Sequence, residues 1–163
     1  MNGFIQEYNR FTEFTYSLPE ENRVCEAVAD RKLRILLAED NIVNQKVAGI
    51  MLKKMGHSVV IAVNGQEAVR KFTDSPEDFD LIFMDVQMPE MDGLAATRSI
   101  REEGFDTIPI VAMTASAMKG DREICLGVGM DDYVTKPIKK EIVFRMIEKL
   151  TTGESASSEG KHR

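Results

Sequence analysis

Tryptophan is absent, cysteine nearly so, and no apolar run approaches the roughly 18 residues needed to span a bilayer. The two cysteines, Cys25 and Cys125, are far apart, with no CxxC pair and no Cys/His ligand spacing. They read as reduced thiols, which sets aside a disulfide framework and a zinc site. The opening MNGFIQEYNRFTEF has no basic region, no continuous apolar core and no small-residue cleavage site. It does not read as a secretory signal, and a cytoplasmic location with no membrane contact is expected. A basic excess is missing too: 21 Lys and Arg against 27 Asp and Glu leave a net charge of −6. That balance argues against broad nucleic-acid binding, which needs a basic footprint on the phosphates.

What is present suits one soluble domain: 163 residues, 43% of them hydrophobic and 29% charged. From Leu33 onward short apolar runs alternate with amphipathic stretches, the pattern of parallel βαβ units. Five strands are expected, at Leu33 to Ala38, Ser58 to Ala62, Asp80 to Met84, Ile108 to Met113 and Asp132 to Thr135. The first helix is expected over Asn41 to Met55, with Val43, Val47, Ile50 and Met51 on one face. The second is capped by Asn64 and buries Ala68, Val69 and Phe72, and the third carries Leu94, Ala95 and Ile100. A weaker helix over Ser116 to Gly127 contains Gly120, which costs about 1 kcal/mol in a helix interior. The last, Lys139 to Leu150, turns Ile142, Val143, Met146, Ile147 and Leu150 inward. Most strands are apolar without alternation, as when helices cover both faces of a parallel sheet. A three-layer α/β sandwich follows.

Three regions are expected: an aromatic-rich extension or linker over 1–32, the domain over 33–150, and a small, polar, disordered tail over 151–163. The extension holds Phe4, Tyr8, Phe11, Phe14 and Tyr16, yet is too short for a core of its own. It either docks, mediates self-association or is the remnant of an upstream linker. Phe144 lies off the apolar stripe of the last helix and is read either as a partner contact or as a solitary apolar residue.

In open parallel sheets ligands bind outside the carboxyl ends of the strands. Those positions carry Glu39 and Asp40, Asp85, Thr114 and Ser116, and Lys136. Converging carboxylates repel by about 4 kcal/mol per pair at 4 Å in an effective dielectric near 20. Hard oxygen donors with room for water suit Mg2+, and Lys136 adds a second positive charge. Carboxylate, cation and hydroxyl together fit phosphoryl transfer, with Asp85 as nucleophile. Taken singly, Asp40 reads better as a helix cap or turn residue. Matching chemistry at four strand ends shifts the balance.

The segments ILLAEDNIVNQKVA, LIFMDVQMPEMDGLAATRSIR and IPIVAMTASAMKGDREICLGVGMDDYVTKPI resemble the receiver domain of two-component response regulators, over about Leu33 to Leu150. The wording AEDNIVNQKVA and DVQMPEMDG is most similar to receivers attached to hybrid sensor histidine kinases. The resemblance implies a flavodoxin-like, doubly wound (βα)5 sandwich with strand order 2-1-3-4-5. It implies phosphorelay signalling, with Asp85 as phosphoacceptor and Glu39, Asp40, Asp85 and the main-chain carbonyl of Gln87 around Mg2+. Glu39 stands where aspartate is commoner, and is expected to reach the metal through water. Thr114 matches the switch hydroxyl, Lys136 the lysine paired with the phosphoryl group, Tyr133 the aromatic that turns inward, and Lys136-Pro137 a cis bond. Gln87 and Ser116 are placed to tune phosphoryl lifetime. The implied partners are a histidine kinase domain or a histidine phosphotransfer protein. Output would pass through the face of the fourth helix, fifth strand and fifth helix, which is also a candidate for self-association.

Other readings compete. A stand-alone single-domain regulator is the runner-up to a hybrid-kinase origin. An Mg2+-dependent aspartate-nucleophile phosphatase would need a second Asp two residues after the nucleophile, where Gln87 follows Asp85 and Ile42 follows Asp40. A flavin module would need a phosphate loop, and EDNIVNQ is acidic. A scaffold that is never phosphorylated would not need the full set of site residues. The domain is thus read as a phosphoacceptor, not a free-standing enzyme.

Overall fold

The computed structural model describes residues 31–116 and 118–152, so the readings for 1–30 and 153–163 lie outside the described residues. Strands β1 (Arg34–Ala38), β2 (Ser58–Ala62), β3 (Leu81–Asp85), β4 (Ile110–Thr114) and β5 (Asp132–Thr135) form one parallel sheet in the order β2-β1-β3-β4-β5. The helices between and after them are α1 (Ile42–Lys54), α2 (Gly65–Asp74), α3 (Gly93–Glu102), α4 (Lys119–Gly127) and α5 (Lys140–Thr152), and a 3-10 turn spans Pro76–Asp78. This is the three-layer sandwich expected from the βα alternation, in the flavodoxin-like strand order that the resemblance implies. No helix among the described residues is long and apolar enough to cross a membrane.

Two cores explain why the strands lack alternation. Successive strand side chains point to opposite faces, so Leu36, Ala38, Ile82 and Met84 join Ala68, Phe72, Ala96 and Ile100 on one side of the sheet. Ile35, Leu37, Leu81 and Phe83 join Ala48, Leu52, Val143 and Ile147 on the other. Both faces are apolar because both are covered.

Three helices begin on side-chain caps that satisfy otherwise orphaned N–H groups. Asn41 accepts from the Val43 and Asn44 N–H groups, Asn64 from Glu67, and Asp92 from Ala95. Helix α4 has no side-chain cap and starts at Lys119, three residues later than its expected start at Ser116. The reason is local: the Thr114 hydroxyl accepts the Ser116 N–H and the Ser116 hydroxyl accepts the Met118 N–H. Such turns compete with the helix for backbone donors.

Two boundaries differ with consequence. Helix α5 continues through Thr152, so the first two residues assigned to the tail are helical. More important, the stripe Val43, Val47 and Ile50 read on α1 faces outward, together with Ile42; all four are more than half exposed. Ala48, Gly49 and Leu52 face the sheet instead. Phe144 is half-buried.

The register levels the chemistry. Ala38 pairs with Met84, Asp85 with Met113 and Thr114 with Thr135, so the residues following β1, ending β3 and β4, and following β5 meet at the carboxyl edge. The strand order reverses at β1 and β3, where such folds open a crevice.

Candidate functional site

At that crevice Glu39, Asp40 and Asp85 each bring one carboxylate oxygen within 4.8 Å of the others. Glu39 and Asp85 are buried and Asp40 is exposed. Lys136, from the loop after β5, bridges the two buried acids, with Nζ 2.8 Å from Glu39 Oε2 and 2.5 Å from Asp85 Oδ2. The Gln87 N–H donates to Asp85 Oδ1 at 3.1 Å. The peptide bond Lys136-Pro137 is cis.

Burial pushes the Asp85 carboxyl above the usual carboxylate range, and the neighbouring Glu39 charge adds to that; the Lys136 and Gln87 hydrogen bonds oppose it without prevailing. For Lys136 burial works against the charge, but its hydrogen bonds to Asp85 and Glu39 outweigh it, so the ammonium is held above its ordinary value. Three carboxylates against one ammonium leave two negative charges, which one divalent cation balances. An all-oxygen donor set of this kind fits a hard cation such as Mg2+.

Thr114 lies at the same edge, 8% exposed, and its carbonyl accepts the Lys136 N–H at 2.8 Å. Gln87 is exposed and Ser116 half-buried beside it, both lining a cavity of about 130 Å³ with Thr114, Leu94, Ile124 and Cys125. Tyr133 is half-buried against the Phe72 core, with the Arg122 guanidinium 5.9 Å from its ring centre. The site residues Glu39, Asp40, Asp85, Gln87, Thr114, Ser116 and Lys136 thus stand along one edge, with Tyr133 a strand residue behind the immediate cluster.

Residues not singled out hold the cluster in shape. Glu39 Oε1 accepts the Asn41 N–H at 3.2 Å and the Asn44 side-chain amide at 3.1 Å, and the Gln45 amide donates to the Glu39 carbonyl at 2.6 Å. The signal was available in EDNIVNQ, where amide side chains recur just inside a helix start. Gly93 is the other. A Cβ there would run into the Asp85 carbonyl and lie 2.9 Å from Met84 Cγ, so only glycine lets α3 begin against the strand that ends in Asp85. A second cavity, of about 380 Å³, opens beside the acids and is lined by Glu39, Asn44, Val47, Lys136, Pro137 and Ile138.

Known proteins match this geometry. Residues 35–148 match the response regulator receiver domain family. Hybrid signal transduction histidine kinase I of Dictyostelium discoideum is 46% identical over 121 residues, 70% of this chain and 7% of that protein. The chain spans at most 18% of the length of the curated relatives it matches first. Among solved structures, the receiver domain of a Pseudomonas aeruginosa sensor histidine kinase, with magnesium coordinated in its active-site cleft, has a TM-score of 0.68 and 41% identity, covering 75% of this chain and 99% of that one. The receiver domain of the Saccharomyces cerevisiae regulator Ssk1, crystallised with the histidine phosphotransfer protein Ypd1, is represented by a match of TM-score 0.69 and 32% identity, covering 77% and 92%. The acids at the carboxyl edge, the sheet order and these likenesses agree, and the chain belongs to the response regulator receiver domain family of two-component phosphorelay signalling.

Proposed function

We propose that Asp85 is the phosphoacceptor of this receiver, taking a phosphoryl group from a phosphohistidine on a kinase domain or a histidine phosphotransfer protein. In that transfer the P–N bond breaks, a P–O bond to Asp85 forms, and the freed imidazole keeps the proton it needs to leave neutral. Asp40, Asp85, the Gln87 carbonyl and Glu39 would hold Mg2+, which would neutralise charge on the phosphoryl oxygens. Lys136 pairs with those oxygens once they replace Asp85's free carboxylate. Thr114 donates its hydroxyl to the new anion, and the loop shift this requires lets Tyr133 turn inward and repacks the face of α4, β5 and α5. Gln87 and Ser116 border the approach of water and set the lifetime.

The single observation that carries this reading is the Glu39–Lys136–Asp85 bridge at the end of β3, with Asp40 beside it. The experiment is direct. Purified protein incubated with acetyl phosphate and Mg2+ should gain one labile phosphoryl mass, absent from Asp85→Asn. No adduct on the unaltered protein would overturn the assignment.

The partner reading rests on α1. Ile42, Val43, Val47 and Ile50 are exposed on α1, and Val47 lines the 380 Å³ cavity with Glu39 and Lys136, the partners of the phosphoacceptor's site. A helical histidine-bearing partner laid there would bring its phosphohistidine to Asp85. The 46% identity to a hybrid kinase favours a hybrid-kinase origin, in a cytoplasmic setting, over a stand-alone regulator.

A further inference from the structure

The Glu39 carboxylate is 2% exposed, and both of its oxygens are engaged by donors. Oε2 faces Lys136, while Oε1 takes the Asn41 N–H and the Asn44 amide. Asn44 occupies the third position of α1, where a polar side chain ordinarily folds back onto the cap residue's N–H. Here Glu39 has taken that N–H, and the Asn44 backbone N–H is satisfied by the Asn41 side chain at 3.2 Å. The Asn44 amide is therefore free of helix capping and points to Glu39.

We infer that Asn44 is a positioning residue that orients the Glu39 carboxylate toward the cation shared with Asp40 and Asp85; the inference rests on the metal reading given above. Glutamate has one more rotatable bond than aspartate, so a carboxylate at this position needs an added restraint to keep one rotamer. Lys136 alone supplies a poor restraint, because its ammonium would draw both acids toward itself and away from a cation. Asn44 holds the opposite oxygen. Being neutral, it donates without adding positive charge that would compete with a divalent ion, as a lysine would. It is exposed itself and covers the buried acid.

The test uses the full chain and Mn2+ as a paramagnetic stand-in for Mg2+, with free Mn2+ read by electron paramagnetic resonance and Mg2+ as competitor. Asn44→Ala should weaken Mn2+ binding about tenfold, the low end for loss of a partner that orients a metal ligand. Asn44→Leu, of similar shape without a donor, should do the same and serves if the alanine variant does not fold. In a Glu39→Asp background the shorter carboxylate falls short of the amide, so adding Asn44→Ala should change affinity by less than about twofold. A purely structural role for Asn44 would instead lower affinity equally in both backgrounds, and that result, or unchanged affinity in Asn44→Ala, overturns the inference. If the unaltered protein binds no Mn2+, the metal reading itself fails and takes this inference with it.

Discussion

Asp85 and Lys136, 51 positions apart in the chain, are joined by a 2.5 Å hydrogen bond between Oδ2 and Nζ. The bond ties the end of β3 to the loop after β5 across the intervening β4. It also tethers the ammonium that Glu39 and Asp85 share.

Replacing that cation tests the electrostatics in two directions. Lys136→Met leaves two buried carboxylates facing each other, and should lower stability by about 1 to 3 kcal/mol without metal, less than for a fully buried pair because Lys136 is partly exposed. Mn2+ affinity should rise in the same variant, since a competing positive charge is gone. Urea unfolding and the paramagnetic titration read the two effects separately.

The outward face of α1 separates docking from chemistry. Val47 is 56% exposed, so Val47→Glu should change stability by no more than about 0.5 kcal/mol. Transfer from a phosphorylated histidine protein should slow about tenfold or more, as when an interface anchor is lost. Labelling by acetyl phosphate should be unaffected. Equal loss with both donors would place the defect in the site instead.

Backbone proximity at α3 is equally testable. Gly93→Ala drives a methyl group into the Asp85 carbonyl, and should cost about 1 to 3 kcal/mol, the range for overpacking. Because the displaced backbone carries the proposed phosphoacceptor, acetyl phosphate labelling should slow even under conditions where the variant stays folded.

His57 supplies the pH dependence. It is buried, and its Nδ1 accepts the Leu33 N–H at 3.3 Å, which requires an unprotonated nitrogen. Burial lowers its pKa from the ordinary 6.5. The unfolded chain therefore binds the proton more readily, and the His57 contribution is fully present above pH 6.5 and lost as pH falls toward the folded-state value. His57→Asn, which keeps an acceptor at that position, should flatten the fall in melting temperature as pH drops below about 6.5, relative to the unaltered protein. An unchanged slope would assign the fall to other groups.

Much of the site was legible in one dimension because strand ends are marked by a sharp change from apolar to charged residues, as at LLAED and FMDVQ. The buried Glu39 was legible as an acid but not as a hub. Its partners Asn44 and Lys136 are 5 and 97 positions away, and only the first could be guessed from helix spacing. Helix α4 was read as weak from Gly120, yet its late start came from the hydroxyl turns at Thr114 and Ser116, which outcompeted the helix for its first donors.

The sequence by itself determined the alternation of strands and helices, the strand boundaries to within a residue or two, and the kinds of charged group at each strand end, because these depend on local periodicity and composition. Tertiary structure decided which side of α1 faces the sheet. Period 3.6 groups Val43, Val47 and Ile50 on one side and Ala48 and Leu52 on another, and both groups are apolar. The choice went to Ala48, Gly49 and Leu52 because two small residues let the helix approach β2 closely while Leu52 fills the core between them, leaving Val43, Val47 and Ile50 in solvent.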